Sequence, residues 1–138
     1  MRILALDFGT KRIGLALSDE LLITAQGMDS IYRKNLQADL NTISTIAKEN
    51  NVSEVVVGLP LNMNGSPGDK AKEVMEFIDN LAKVIDISIK TWDERLTSIQ
   101  AERTLLEADI SRAKRKRFSD KLAAQIILQS YLDSRKAG

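Results

Sequence analysis

The chain opens with two apolar runs, RILALD at 2–7 and IGLALS at 13–18, separated by the five residues FGTKR. Each run has the length of a buried strand and is too short for a helix. The connection is short and contains Gly9, so the pair reads as a β-hairpin. Gly14 inside the second run signals a bulge or a close backbone approach. Residues 21–32 supply a third strand, weakened at Gly27. From 34 to 50 the apolar residues Leu36, Leu40, Ile43 and Ala47 recur at helical spacing, and Asn50-Asn51 ends the pattern. EVVVGLP at 54–60 is the clearest buried strand. Its unbroken valines suit a parallel strand covered on both faces, with Gly58 and Pro60 as breakers that shape the turn.

LNMNGSPG at 61–68 is a loop in which Ser66 and Pro67 can open a helix as N-cap and first residue. Val74, Phe77, Ile78 and Leu81 mark the inner face of that helix. DISIKTW at 86–92 alternates and predicts a strand. Thr97 with Gln100 fits a capping box for a further helix to about Ala108. Residues 109–118 read as a basic connector. Ser119 caps a last helix whose inward residues are Ala123, Ile126, Ile127 and Tyr131.

Three strands in succession suit an antiparallel meander, and the later alternation of strands and helices suits parallel pairing through right-handed crossovers. The expected class is α/β: a mixed sheet of about five strands, a three-strand antiparallel meander followed by parallel strands, flanked by helices. At 138 residues, with no internal repeat or linker, the chain reads as a single domain spanning 1–138.

Composition narrows the chemistry. There are no cysteines and no histidines, which excludes disulfides, thiolate zinc sites and the usual imidazole general base. Any catalysis must run on carboxylates, Lys, Arg, Ser, Thr or Tyr. Carboxylates without imidazole suit hard cations such as magnesium or manganese. No apolar run approaches the ~18 residues of a membrane span. The N-terminus enters a strand directly, unlike a signal peptide, so a cytoplasmic protein is expected. The net charge of +1 conceals RAKRKR at 112–117, five cations in six residues, among them Arg115 and Arg117. Such a segment permits nucleic-acid binding and is equally a solvated face.

The acids then carry the question. Asp7 ends a strand that otherwise reads as buried. Asp93 and Glu94 follow the last strand, and Asp120 lies near the start of the final helix. Carboxylates that converge repel one another, and a divalent cation relieves that cost. Paired ions on such a cluster support phosphodiester cleavage. Each acid also has a plainer reading. Asp93 suits a turn, Glu94 can pair with Arg95 or a lysine, and Asp120 suits a helix N-terminus through the dipole. Asp19, Asp39, Asp69, Asp79, Asp86 and Asp133 read as solvated surface acids.

Four stretches, LALDFGTKRIGLALSD, VVVGLPLNMNGSPG, WDERLTS and DKLAAQIILQSYL, occur in the order and spacing of the YqgF family, also called RuvX. The chain resembles that family along essentially its whole length. The resemblance implies an RNase H-like fold and a metal-dependent nuclease that matures the 5′ end of 16S rRNA from its precursor. An older assignment within the family is cleavage of four-way DNA junctions. On this resemblance Asp7, Glu94 and Asp120 are the catalytic acids and hold one or two Mg²⁺ or Mn²⁺ ions. Thr10, Lys11, Arg12, Asn62, Arg95, Arg115 and Arg117 are the substrate-binding candidates. The expected partners are precursor rRNA and ribosomal particles, with no membrane. RuvC-like resolvases carry an acid at the end of the fourth strand, where this chain has GLP, and a second acid in the last helix, where it has Ala123. Both departures weaken the junction-resolving assignment.

Two other classes compete. Asp-Phe-Gly-Thr also fits the phosphate turn of actin-like ATPases, but those need a second phosphate loop and a second domain, for which this chain lacks the length. A non-catalytic RNA- or ribosome-binding protein on the same fold is the third reading. With two Tyr, three Phe and one Trp, a single-strand grip built mainly on aromatic platforms is not expected.

Overall fold

A computed structural model describes residues 1–96 and 112–137, and in the last helix the side chains of 122–135. Five strands, β1 (Arg2–Phe8), β2 (Arg12–Ser18), β3 (Ala25–Tyr32), β4 (Val52–Leu59) and β5 (Ser88–Asp93), form one sheet in the order β3-β2-β1-β4-β5. β1, β2 and β3 pair antiparallel, and β1–β4 and β4–β5 pair parallel. This is the mixed α/β sheet expected from the element order. Helices α1 (Leu36–Glu49), α2 (Asp69–Ala82) and α3 (Arg112–Ala137) cover it.

Alternation along β1 assigns its side chains to two faces. Leu4, Leu6 and Phe8 pack with Leu40, Ile43 and Ala47 of α1 and with Val74, Phe77 and Leu81 of α2. Ile3 and Ala5 point the other way, into a cluster with Ala124, Ile127, Leu128 and Leu132 of α3. Burying each large aliphatic side chain stabilises the fold by about 1.5–3 kcal/mol. The α3 face of the sheet is built largely from the small residues Ala5, Ala16 and Ala25, so the helix lies close against it. Asp7 falls in the same register as Ile3 and Ala5, which presents it on the α3 face. Gly14 stands opposite Asp7 on β2, and the β2–β3 register shifts between Ile13 and Leu15, the bulge expected at that glycine.

Polar contacts set where α3 sits. Gln129 accepts the Ala25 N–H at 3.0 Å and donates to the Ile23 carbonyl at 3.0 Å, while Gln125 donates to the Ala25 carbonyl at 3.0 Å. On the other flank, Tyr131 and Arg135 donate to the two carboxylate oxygens of Glu54, each at 2.8 Å. Glu54 lies near the start of β4, and Ile127 reaches Gly58 near its end. The helix therefore runs opposite to β4. Its N-terminal turns lead toward the C-terminal ends of β1 and β4.

Several expectations are corrected. β3 begins at Ala25 rather than 21, because Asp19 accepts the N–H groups of Ile23 and Thr24 at 2.7 and 2.9 Å and folds the preceding residues into a turn. Those bonds, the one from Thr24 first, hold its carboxyl below the usual range. α2 begins at Asp69 with Gly68 as its N-cap. Ser66 is engaged instead with Asn62 and Asn64 inside the loop, and Pro67 bridges to Leu61. The basic run 112–117 is helical rather than a connector, and Ser119 lies within α3. Asp39 is 2% exposed, not a surface acid: it accepts the Lys34 N–H at 3.0 Å and faces Arg33. Leu36 is exposed, and the buried residues of α3 include Ala124, Leu128 and Leu132. The helix expected over 97–108 lies outside the described residues.

Gln129→Leu leaves the Ala25 N–H and the Ile23 carbonyl without their side-chain partner. It is expected to lower unfolding free energy by about 1–3 kcal/mol, read from urea titrations of both proteins. A neutral result would mean that water replaces the glutamine.

Candidate active site

The two acids that can be followed are brought together by strand order. β1 presents Asp7, and β5 ends at Asp93, after which Glu94 opens a short 3₁₀ turn, Glu94–Leu96. β4 lies between β1 and β5, so the Glu94 side chain has to cross it to reach Asp7. It crosses at Gly58. A Cβ at Gly58 would stand 3.0 Å from Glu94 Oε1, 3.1 Å from its Cγ and 2.8 Å from Ile127 Cδ1. Glu94 then forms a side-chain hydrogen bond with Asp7.

Two carboxyl groups in contact hold a proton between them unless a cation intervenes. Burial first, then the hydrogen bond to Asp7 and its charge, pushes the Glu94 carboxyl up to about 8. The positive charge of Lys70, in the first turn of α2, opposes the rise, and the charge of Asp93 adds to it. Glu94 is therefore protonated at neutral pH and donates to Asp7. Asp93 behaves oppositely. Arg95 grips both of its oxygens, with the shortest contact at 2.6 Å, and this bonding holds the Asp93 carboxyl below its usual range. Arg95 thus pairs with Asp93.

Residues 1–134 match the RuvX family, described as Holliday junction resolvase. The chain belongs to the RuvX family. It is 50% identical over 136 residues to a Myxococcus xanthus protein, covering 99% of this chain and 90% of that one. It is 51% identical over 133 residues to a Halothermothrix orenii protein, covering 96% and 95%. Both relatives bear the name "Putative pre-16S rRNA nuclease". Among solved structures, Thermus thermophilus RuvC in complex with a Holliday junction substrate superposes with a TM-score of 0.65 at 12% identity, covering 99% of this chain and 96% of that one. That likeness establishes the shared RNase H-like fold.

The other site candidates of this RuvX chain fall into three groups. Lys11 and Arg12 are exposed on the hairpin that follows Asp7, with Arg12 lying 5.6 Å from the Tyr32 ring centre. Thr10 lines a cleft of about 330 Å³ with Phe8, Arg33 and Phe77, on the α1/α2 face. Arg33 braces this hairpin, donating to the carbonyls of Gly9 and Thr10 at 3.1 and 3.4 Å. Asn62 and Arg95 are tied into the protein, Asn62 within its own loop and Arg95 to Asp93 and the Met63 carbonyl. Asp120, Arg115 and Arg117 lie on α3, and their side chains are outside the described residues. No group of three or more acids fit to hold a metal occurs among the described residues.

Two contributors escaped the sequence reading. Gly58 matters for the space it leaves, not as a turn residue. Its register with Val56 was the available signal. Lys70 sits in a loop-to-helix segment with no pattern of its own, and only the fold brings its charge near Glu94.

Because Glu94 binds its proton more tightly in the fold than in the unfolded chain, the folded protein holds the extra proton between about pH 4.5 and 8. Stability without divalent ions is therefore expected to fall as pH rises through that window, and to be unaffected by Glu94 below it. Thermal melts in EDTA across the window, with Glu94→Gln alongside, check this: the variant should lose that part of the slope. Gly58→Ala drives a methyl into Ile127 and Glu94. It should cost about 1–3 kcal/mol in a urea titration.

Proposed function

We propose that this chain is a metal-dependent nuclease that hydrolyses phosphodiester bonds in maturing the 5′ end of 16S rRNA from its precursor. The observation that carries the reading is the contact between Asp7 and Glu94 across Gly58. A pair of oxygen donors that must share a proton in the absence of a cation fits a hard divalent ion such as Mg²⁺ or Mn²⁺. The family and the relatives' names support the nuclease class and the rRNA substrate. Asp7 and Glu94 would hold one or two such ions, with Asp120 as the third ligand from α3. A bound ion of this kind supplies the charge that activates water and stabilises the leaving oxygen.

The chain's own residues do the rest. Glu94 would release its proton to solvent on holding such an ion. Thr10, Lys11 and Arg12, on the hairpin beside Asp7, and Arg115 and Arg117 on α3 contact backbone phosphates. Such contacts position a strand without reading its sequence. Lys70 tempers the negative charge at Glu94. The reading places the protein in the cytoplasm with precursor ribosomal particles.

A second reading, resolution of four-way DNA junctions, is favoured by the description attached to the family. One experiment separates the two. Precursor 16S RNA and a synthetic four-way DNA junction are incubated with the protein in Mn²⁺, Mg²⁺ or EDTA, with Asp7→Asn alongside. RNA cleavage that needs metal and falls more than about 100-fold in Asp7→Asn is expected, a loss at or beyond the range typical of outer partners. Junction cleavage with the same dependences would replace the rRNA assignment. Inactivity on both substrates, with RNA binding intact, would favour a binding protein.

Metal affinity should also follow the Glu94 proton. Calorimetric Mn²⁺ affinity is expected to rise with pH and level off above about 8, where the proton is already lost. A pH-independent affinity would separate Glu94 from the ion.

A further inference from the structure

We propose that Arg95 is a positioning residue that straps the Asp93–Glu94–Arg95 turn to the loop at 60–68, and so fixes where Glu94 meets Asp7. It does not serve as a contact to nucleic acid. The proposal rests on the reading of Asp7 and Glu94 as the reactive pair.

All three guanidinium nitrogens donate to protein oxygens. Nε lies 3.0 and 2.9 Å from the two Asp93 oxygens, and Nη2 lies 2.6 Å from Oδ2. The Arg95 backbone N–H adds a bond to Asp93 Oδ1 at 3.0 Å, so the turn closes on itself around Glu94. Nη1 donates across to the Met63 carbonyl at 3.1 Å. The guanidinium also lies against Gly65, where a Cβ would meet Nη1 at 3.4 Å and where φ is +86°, a conformation suited to glycine.

The loop that receives this contact is cross-linked by its own hydrogen bonds. Asn62 N–H donates to the Ser66 carbonyl at 2.9 Å, Gly65 N–H to the Asn62 carbonyl at 2.8 Å, and Leu61 bridges to Pro67. Holding the loop at Met63 therefore holds all of it. The loop runs through Gly68 into α2, whose Lys70 places its charge near Glu94. A ring results: Glu94 turn, Arg95, Met63, loop, Lys70 and back to Glu94. Only a planar fork can serve Asp93 and Met63 together, and a lysine ammonium cannot. The Arg95 side chain is 37% exposed, so the ion pair itself contributes little to stability, and its role is geometric.

The test compares the full chain with Arg95→Gln, Arg95→Lys, Asp93→Asn and the double variant Asp93→Asn/Arg95→Gln. Hydrogen–deuterium exchange is followed in segments 61–68 and 93–96. Mn²⁺ binding is measured by calorimetry, and binding of a precursor 16S RNA fragment is measured in EDTA over a range of salt. Arg95→Gln is expected to speed exchange in both segments together and to weaken Mn²⁺ binding by about tenfold. RNA affinity and its salt dependence should stay unchanged, and kcat should fall with KM held. Asp93→Asn should do the same, and the double variant should be no worse than either single one, because the pair acts as a unit. Arg95→Lys should behave like Arg95→Gln.

The opposite pattern overturns the proposal: exchange in 61–68 unchanged, RNA affinity reduced, the salt slope smaller by about one, and rescue by lysine. That is the behaviour of a phosphate contact. If the unmodified chain binds neither Mn²⁺ nor RNA, the proposed function fails, and exchange in 61–68 alone then decides the strap. Faster exchange in Arg95→Gln upholds it, and unchanged exchange overturns it.

Discussion

Two carboxyl groups held within one hydrogen bond are the constraint on which the rest of this structure turns. Asp7 comes from β1 and Glu94 from just beyond β5, and β4 lies between them. Any side chain on the α3 face of β4 at that level would bar the way. Gly58 has none, and the Glu94 chain passes over its backbone. The sheet order makes the meeting possible and the glycine makes it sterically free. Burial then makes it electrostatically costly, which is why Glu94 keeps a proton to about pH 8. A carboxyl perturbed by burial together with a specific charged partner is a candidate functional group.

The same face answers a second demand. α3 lies close because Ala5, Ala16 and Ala25 present little bulk, and its Ile127 comes down beside Gly58. The missing side chain at Gly58 therefore serves the helix and the acid together. The register of α3 is fixed by polar contacts on both flanks, Gln125 and Gln129 at β3 and Tyr131 with Arg135 at Glu54. A helix clamped at both edges cannot slide along the sheet, so the direction of its N-terminal turns is set by residues distant from the acids.

Much of this was legible in the chain. The runs at 2–7, 13–18 and 54–60 carried their strand character in composition alone, and the order of elements was enough for the mixed sheet. Asp7 stood out because a charge at the end of a buried run needs a reason. What failed to show has a common physical cause: it depends on contacts between distant segments. Asp39 reads like any acid near a helix start until Arg33 and the Lys34 amide enclose it. Ser66 looks like an N-cap until Asn62 and Asn64 claim its hydroxyl and backbone. Gly58 reads as a breaker because its partner across space, Glu94, is 36 positions further on.

The distribution of cations around the site gives the last step. Among the described residues, Asp7, Asp93 and Glu94 gather at this end of the sheet, and Arg95 stands among them. It neutralises Asp93, bonding both oxygens, while Glu94 bonds to Asp7 and feels the charge of Lys70. The arrangement places this strong, directional cation on Asp93, where it closes the turn that carries Glu94. A protonated carboxyl can exchange its proton for a metal, whereas an arginine-bound carboxylate must first break a bidentate bond. On the proposed reading, the Arg95–Asp93 pairing frames the turn and Glu94 is the carboxyl that exchanges its proton.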